Sequence, residues 1–428
     1  MARTTLSAGL LLRLGVNTSQ SLMSDLFSVK RPDLKSALIS KKNVTATVDT
    51  LKNLRGAAMK FGQLLSLDET LILSPELAAI FAQLQSSGYS MTPSQLKKVL
   101  NQNWGDDWLK HFKYFDVRPF AAASIGQVHK ATLKSGEVVA IKVQFPGVKQ
   151  SIDSDLATLK FIMKTSGMLP ENFPLEHYLS QCGDLLKRET NYELEAENIN
   201  LFSGFLNGSK VIHVPKVYNK LSTDQTLTMS FLEGQELSNI MEFDQSARDE
   251  ISLNLIELLF NEIFNFKMVQ TDPNLANFLL TRGGKSICIL DFGACCRLSE
   301  DTHRLYKELL SVALSLDLNC IKSFLQEKNF IPQETSMAGT KFLENIISVT
   351  INELSKDETF DFQKSKVFQL IVQENLNLYF DLIPSSVLGS DFIFIQRKIF
   401  GLILFFRSIG TKLPLLKILK HQAKLLEL

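Results

Sequence analysis

The sequence predicts an α+β protein in which a small β-rich part is followed by a larger, mainly helical part. Residues 121–143 place two β-rich runs around a Lys-Ser-Gly-Glu turn, which is the pattern of an antiparallel hairpin. Residues 249–266 repeat apolar side chains at helical spacing, and helical patterns dominate from residue 300 onward. A helical stretch at residues 44–67 indicates that a helical extension precedes the β-rich part.

The composition is that of an ordinary globular protein, and it argues against several classes of function. The 428 residues are 45% hydrophobic, and the net charge of +1 gives no overall field that would attract nucleic acid. The five cysteines form no CxxC pair and the six histidines no HExxH motif, which argues against a disulfide framework or a zinc site of those types. The apolar run at residues 399–406 is too short to span a bilayer.

The N-terminal region is basic. Residues 1–24 contain Arg3, Arg13, several Ser and Thr, and no acid before Asp25, which fits a mitochondrial transit peptide or a basic, frayed terminus. Up to Leu67, ten Lys and Arg residues stand against three acids. This excess is consistent either with a solvated basic face or with attraction to an anionic membrane surface.

Capping and turn signals divide the rest of the chain. Helices are expected at residues 44–67, from Ser74, at 92–101, 148–168, 175–206 and 249–266, and strands at 211–217 and 225–232, joined by a turn, and at 278–280 and 286–290.

Lys142 is the first candidate functional residue, because it lies inside an apolar strand where a lone ammonium group needs an anionic partner. The small residues at 121–124 and Gly126 would let the backbone approach a phosphate. On the helix at 175–206, Glu189 and Glu195 fall on the apolar stripe. A Lys142–Glu195 ion pair is therefore expected, unless Glu195 lies at the edge of the stripe and reaches water.

Oxygen-bearing side chains form the second group of candidates. Asp272 and Asn277 lie five residues apart around a loop, and Asp291 follows a strand hairpin, which places three oxygen ligands at one end of a small sheet. Such ligands suit Mg²⁺ bound with phosphates. Upstream, Lys60 and Gln63 share one helix face, and either they are functional or they are simply exposed.

The order of these parts is that of a protein kinase. Residues 139–142, Val-Ala-Ile-Lys, match the kinase strand-lysine motif, and residues 291–293, Asp-Phe-Gly, match the magnesium motif. The glycine-rich loop is present in altered form, with alanine at two of the glycine positions. With the Lys60-Phe61-Gly62-Gln63 (KxGQ) motif upstream, the chain resembles the UbiB family of atypical protein-kinase-like proteins, in particular its mitochondrial coenzyme Q biosynthesis subfamily.

The resemblance implies a two-lobed kinase-like fold with an N-terminal helical KxGQ extension. It implies a targeting or flexible segment at 1–43, the extension at 44–120, an N-lobe at 121–234 and a helical C-lobe at 235–428. The implied roles are catalysis for Asp272, Lys142 and Glu195; ATP binding for Ala121, Ala123, Ser124, Gly126, Val128, Lys142, Met229, Ser230 and Leu232; metal binding for Asn277 and Asp291; and regulation through the KxGQ motif for Lys60, Gly62, Gln63 and Glu189.

The resemblance also implies a Mg²⁺-dependent ATPase or small-molecule kinase that supports coenzyme Q (ubiquinone) biosynthesis near lipid-like intermediates. Its expected place is the matrix side of the inner mitochondrial membrane, as a peripheral protein. Expected partners are ATP and ADP, proteins of the biosynthetic complex, anionic cardiolipin-like lipids and a second copy of the chain, but no nucleic acid. A nucleotide-binding scaffold and a protein kinase are the alternatives.

The sequence departs from the kinase and UbiB patterns at several places. Asn191 stands where the UbiB family has an Asp two residues after Glu189, and Gln270 stands at the catalytic-loop His of typical kinases. Residues 293–300 leave little room for a long activation loop, which argues against docking of a peptide substrate.

Overall fold

The computed structural model describes residues 51, 54–66, 90–166, 169, 173–281, 283–332, 335–356, 358–373 and 390–428. The predicted targeting segment and the helix expected from Ser74 lie outside these residues. The chain forms two compact units. Unit one is Met1–Glu197 with Lys216–Phe231, and unit two is Asn198–Pro215 with Leu232–Leu428. The domain limits predicted from the sequence stay a prediction.

Thirteen strands are present in the described chain: β1 (Phe112–Phe115), β2 (Ala121–Ala122), β3 (Gly126–Leu133), β4 (Val138–Gln144), β5 (Ile212–His213), β6 (Thr226–Ser230), β7 (Gln235–Glu236), β8 (Met268–Gln270), β9 (Phe278–Leu280), β10 (Ile287–Ile289), β11 (Cys295–Arg297), β12 (Phe360–Asp361) and β13 (Lys412–Leu413).

The α-helices of the described chain are α1 (Arg55–Ser66), α2 (Pro93–Trp104), α3 (Val148–Ser166), α4 (Leu175–Glu189), α5 (Tyr192–Phe205), α6 (Gln245–Phe260), α7 (Glu300–Leu314), α8 (Leu318–Glu327), α9 (Met337–Lys356), α10 (Lys366–Gln373), α11 (Ser390–Ser408) and α12 (Leu415–Leu425). Short 3₁₀ helices lie at Trp108–His111, Asn219–Leu221, Leu237–Glu242 and Leu275–Asn277, and a π-helix at Asn261–Phe266. None of the helices described is long and apolar enough to cross a membrane.

Unit one is built on an antiparallel sheet of order β1-β3-β4-β6, with β2 pairing on β3. The predicted hairpin is confirmed, because β3 and β4 pair from Gly126 opposite Gln144 to Thr132 opposite Val138. Strand β1 lies inside the segment predicted as helical extension. Phe112 and Phe115 are buried there, since the strand presents them to the core while its two middle residues are exposed.

An aromatic cluster closes one end of this sheet. The ring of Trp108 lies 5.0 Å from that of Phe115 and 6.2 Å from that of Phe112, and the Trp104 ring lies 5.5 Å from Phe112. Helix α2 brings Trp104 to the cluster. The helix begins where the sequence predicts, at a capping box in which Thr92 accepts a hydrogen bond from the backbone N–H of Gln95.

The single helix predicted at 175–206 is wrong, since the chain breaks between α4 and α5. Asn191 lies at the break: its Oδ1 accepts a hydrogen bond from the N–H of Leu194 at 3.2 Å and so caps the start of α5. Glu189 is consequently the last residue of α4, and Glu195 lies in the first turn of α5. The two acids do not share one helix stripe.

The strand predicted at 211–217 is divided between two partners. At its end, Val217 forms an antiparallel bridge with Met229 of β6, and Ser230 N donates to Lys216 O at 2.8 Å. Strand β5 belongs to unit two, where it runs parallel to β10. Strand β6 belongs to unit one, where it pairs with β4. The turn signals between them were interpreted correctly as a break, but strand partners are chosen by tertiary packing, which a local pattern does not reveal.

Unit two combines a small sheet of order β5-β10-β9-β7, the pair β8–β11 and a helical core. The helix predicted at 249–266 is present as α6, which passes into the π-helix Asn261–Phe266. Lys267 then adopts a left-handed conformation, with φ of 50°, and ends the helix before β8. The core includes Ile263, Val269 and Phe392. The predicted α+β class is confirmed.

Candidate functional site

In unit one, Lys142 and Glu195 form the ion pair that the sequence predicts. Lys142 Nζ lies 2.5 Å from Glu195 Oε1. Lys142 is 6% exposed and Glu195 is 2% exposed, so the alternative in which Glu195 reaches water is wrong. A buried pair of this kind fixes the position of the lysine ammonium, because moving either charge away would leave the other uncompensated.

The alanine-containing loop precedes this lysine strand. Ala123 N donates to Gly126 O at 3.0 Å and closes a tight turn. A Cβ on Gly126 would lie 2.3 Å from Val143 O, so only glycine fits. Among the described non-glycine residues, a positive φ occurs only at Lys267, Leu316, Asn329 and Glu427. Ala121 and Ala123 therefore take conformations that alanine adopts without strain.

The remaining expected ATP-binding residues lie on neighbouring strands or at their ends. Val128 of β3 is opposite Lys142. On β6, Met229 is opposite Ala140 and Ser230 is opposite Val139. Met229 is buried, and Ser230 Oγ accepts a hydrogen bond from Lys216 N at 2.9 Å. Leu232 opens the second segment of unit two, and contact of these residues with adenine stays a prediction.

The KxGQ motif lies on α1 and is linked to the alanine-containing loop. Lys60 is 1% exposed and forms an ion pair with the carboxylate of Glu189, so the alternative of an exposed lysine is wrong. Glu189 Oε2 in turn accepts a hydrogen bond from Ser124 Oγ at 2.6 Å. Gly62 is buried in the same helix, and the side chain of Gln63 lies outside the described residues.

In unit two, Asn277 and Asp291 lie at the same end of a hairpin. Asn277 directly precedes β9 and Asp291 follows β10, and these two strands pair with Phe278 opposite Ile289. The N–H of Leu290 donates to Asn277 O at 2.8 Å. Asp291 Oδ1 accepts a hydrogen bond from Gly293 N at 3.0 Å. The hairpin thus brings together two of the three oxygen-bearing residues predicted to meet.

Asp272 lies in the loop after β8 and is 6% exposed. Its Oδ1 is 3.4 Å from Arg397 Nη2, on helix α11. The loop is tied down by its neighbour Thr271, whose N–H and Oγ1–H both donate to Ala294 O, at 2.9 and 2.5 Å. The sequence did not indicate Arg397, because nothing local connects this helix to Asp272.

Comparison with known proteins identifies the family. Residues 83–325 match the ABC1 atypical kinase-like domain. The chain belongs to the ABC1 atypical kinase family. It is 33% identical over 413 residues to the Saccharomyces cerevisiae protein "Atypical kinase COQ8, mitochondrial", a match that covers 95% of this chain and 81% of that one. The resemblance to the UbiB family predicted from the sequence is confirmed.

Other matches agree with this family. The Danio rerio protein "Atypical kinase COQ8B, mitochondrial" is 33% identical over 367 residues, which are 85% of this chain and 59% of the relative. Among solved structures, Mycobacterium tuberculosis Rv3197, in complex with erythromycin, superposes with a TM-score of 0.60 at 23% identity and covers 89% of this chain and 97% of that one. This last similarity shows the kinase-like fold.

The hairpin end of this ABC1 kinase suits a magnesium ion that is also bound by phosphates. Asn277 and Asp291 supply an amide and a carboxylate oxygen, and Mg²⁺ in such sites needs only one or two carboxylates. The Nδ2 of Asn277 is buried without a hydrogen-bond partner in the described part of the chain, so the fold does not lock this amide. The described residues contain no cluster of three or more His, Cys, Asp or Glu, as a metal held by protein alone would require.

The ABC1 kinase also contains a buried acid that the sequence did not indicate. Glu262, in the π-helix, is fully buried and forms an ion pair with Lys398 of α11. Burial raises the pKa of Glu262, and Lys398 opposes this rise. A sequence signal existed, since Glu262 and Lys398 each interrupt an apolar helical run, but it did not reveal that they are partners.

Asn191 replaces the expected family acid with a residue that still caps α5. Asparagine and aspartate are similarly good helix caps. The substitution in this ABC1 kinase therefore removes a charge while keeping the local backbone.

Proposed function

We propose that the protein is a Mg²⁺-dependent ATP-binding enzyme, an ATPase or small-molecule kinase of the phosphotransferase class. The observation that carries the proposal is the buried Lys142–Glu195 pair, which holds an ammonium group on a strand next to a tight loop of small residues. A lysine held in this way is suited to bind the phosphates of ATP.

Unit two carries the other residues of the kinase pattern. Asn277 and Asp291 would hold Mg²⁺, which would supply positive charge beside the phosphates. Asp272, which is buried and contacts Arg397, is the proposed catalytic-loop acid, because its spacing to Asn277 is that of the kinase motif. Its role is to orient the attacking hydroxyl or water. Most of the rate enhancement in such reactions comes from this kind of placement and charge stabilisation.

The acceptor is a small molecule or water. The segment between the Asp-Phe-Gly motif and α7 is only a few residues long, and β11 occupies part of it. Such a segment offers little surface on which a peptide could dock. A protein kinase is therefore the weaker proposal, and a nucleotide-binding scaffold is the outcome that an inactive protein would support.

The pathway proposed is coenzyme Q biosynthesis, in mitochondria. The support is the similarity to relatives named as mitochondrial COQ8 atypical kinases, together with the transit-peptide-like composition of residues 1–24. The basic N-terminal region favours peripheral association with anionic lipids on the matrix side of the inner membrane. Proteins of the biosynthetic complex are the proposed partners.

ATP hydrolysis by the purified chain tests the enzymatic part. The wild type should turn over ATP only with Mg²⁺, and faster with cardiolipin-containing vesicles than with neutral vesicles. Asp291→Asn should lower turnover by at least about 100-fold, as is typical when a group that stabilises developing charge is removed. The matched control is Asp301→Asn, which alters an exposed acid of the same unit and should leave turnover unchanged.

Wild-type turnover in Asp291→Asn would overturn the proposal. Nucleotide binding without turnover on any vesicle would replace it by the scaffold function. In cells that depend on this chain, Asp291→Asn should lower coenzyme Q content, and a normal content would contradict the proposed pathway.

A further inference from the structure

We propose that Glu262 is a positioning residue for the site in unit two: acting through Gln270, it holds the two segments that carry Asp272 and Asp291. This inference rests on the proposed function and adds a residue that touches neither nucleotide nor metal. Four observations carry it.

The first observation is the backbone that delivers Glu262. Helix α6 widens into the π-helix Asn261–Phe266, which has more residues per turn than an α-helix. The widening changes the direction in which the following side chains point. Glu262 continues the buried face of α6, four residues after Leu258 and seven after Leu255, and is 0% exposed. In proteins generally, π turns are frequent at functional sites.

The second observation is that both oxygens of Glu262 are engaged. Oε2 forms the ion pair with Lys398, and Oε1 accepts a hydrogen bond from the backbone N–H of Gln270 at 3.2 Å. Lys398 is adjacent to Arg397, which contacts Asp272. Two consecutive residues of helix α11 therefore contact two acids: Arg397 contacts Asp272, and Lys398 pairs with Glu262.

The third observation is the bridge that Gln270 makes. Its side chain is buried, and Nε2 donates to Asp272 O at 3.0 Å and to Asp291 O at 3.3 Å. Because both partners are carbonyl oxygens, the amide must present its nitrogen to them. One side chain thus fixes the distance between the segments of the proposed catalytic and metal-binding acids.

The fourth observation concerns energetics. Burying an ion pair costs desolvation free energy, and apolar replacements of similar volume often stabilise a protein equally well or better. Packing alone therefore does not account for charges at these two positions. The carboxylate of Glu262 provides a hydrogen-bond acceptor for the backbone N–H of Gln270, which an apolar side chain lacks.

Two double variants separate positioning from packing. Glu262→Leu with Lys398→Met replaces the pair by apolar side chains and removes the acceptor for Gln270 N–H. Glu262→Gln with Lys398→Met also removes both charges, but it keeps an acceptor oxygen. The matched control is Lys322→Met with Glu344→Gln, which removes a partly exposed pair of the same unit.

The first double variant should fold and lose about 10- to 100-fold in kcat for ATP hydrolysis, because small displacements of reacting groups have effects of this size. Its ADP affinity without metal should match the wild type, while the gain in ADP affinity on adding Mg²⁺ should shrink. The second double variant should recover kcat to within about threefold, and the control should behave as wild type. Equal kcat in all variants, or equal losses in both double variants, would overturn the inference.

Gln270→Met supplies an independent test if the double variants do not fold. Methionine has nearly the shape of glutamine but cannot donate to the two carbonyl oxygens. The variant should lose at least about tenfold in kcat with little change in KM for ATP, and a wild-type kcat would overturn the inference. Absence of ATP hydrolysis in the wild type would count against the proposed function, whereas an active wild type with equally active variants would count only against the positioning role.

Discussion

The Lys142–Glu195 pair of unit one and the Glu262–Lys398 pair of unit two have similar chemistry but different surroundings. The Lys142–Glu195 pair joins a strand to a helix beside the alanine-containing loop. The Glu262–Lys398 pair joins two segments of the helical core, and Glu262 also accepts a backbone hydrogen bond. The difference teaches that a buried ion pair has no fixed meaning. Its role depends on whether a ligand or the protein's own backbone uses the remaining hydrogen-bonding capacity.

Breaking the pair of unit two should have the largest effect on stability. Lys398→Met leaves Glu262 fully buried without its cation, which should lower the free energy of unfolding by about 3–5 kcal/mol. Urea unfolding followed by circular dichroism measures this loss. Adding Glu262→Leu should recover most of it, and an unchanged stability in the single variant would show that water reaches Glu262.

The free energy of unfolding of Lys398→Met should depend on pH more steeply than that of the wild type. Lys398 opposes the rise that burial causes in the pKa of Glu262, so its removal raises this pKa further above the ordinary 4.5. The folded protein then keeps a proton that the unfolded chain loses, and the free energy of unfolding falls as pH rises above 4.5. A flatter dependence than that of the wild type would contradict this.

Breaking the pair of unit one should act mainly on the ligand. Lys142→Met should weaken ADP binding by about tenfold or more, equivalent to about 1.4 kcal/mol, because a phosphate loses its cationic partner. Adding Glu195→Gln should restore thermal stability without restoring affinity. Isothermal titration with ADP and Mg²⁺ gives the affinity, and wild-type affinity in Lys142→Met would remove this lysine from the site.

The smallest effect on stability is expected at Asn191, which caps the start of helix α5. Asn191→Ala should lower the free energy of unfolding by about 1 kcal/mol, the usual value for a lost cap. Asn191→Asp should instead raise it by about 0.3–1 kcal/mol, since a negative charge is favourable at a helix N-terminus. Thermal melts of both variants test this, and equal melting temperatures would show that Asn191 does not cap α5.

Much of unit one was predictable because its signals are local. The β3–β4 hairpin followed from two β-rich runs around one turn, and the need of Lys142 for a buried acid followed from its apolar neighbours. The break before α5 was missed although Asn191 is a good cap, because the apolar spacing continues across it.

In unit two, the order of Asp272, Asn277 and Asp291 indicated the candidate residues, but not what supports them. Glu262 and Lys398 are separated by 136 positions in the chain, and no periodic pattern connects residues so far apart. An α-helical projection places Glu262 on the same face as the buried Ile251, Leu255 and Leu258, but this placement does not identify its partner. The pairing of strand β5 was missed for a related reason, since its partner β10 comes much later in the chain.

The aromatic cluster at the end of the unit-one sheet makes the two units differ in intrinsic tryptophan fluorescence. The chain has two tryptophans, and both Trp104 and Trp108 belong to that cluster. Tryptophan emission therefore originates in unit one alone, while circular dichroism reports the helices of both units. Melting followed by the two signals in parallel can show whether the units unfold together or one after the other, without any added label.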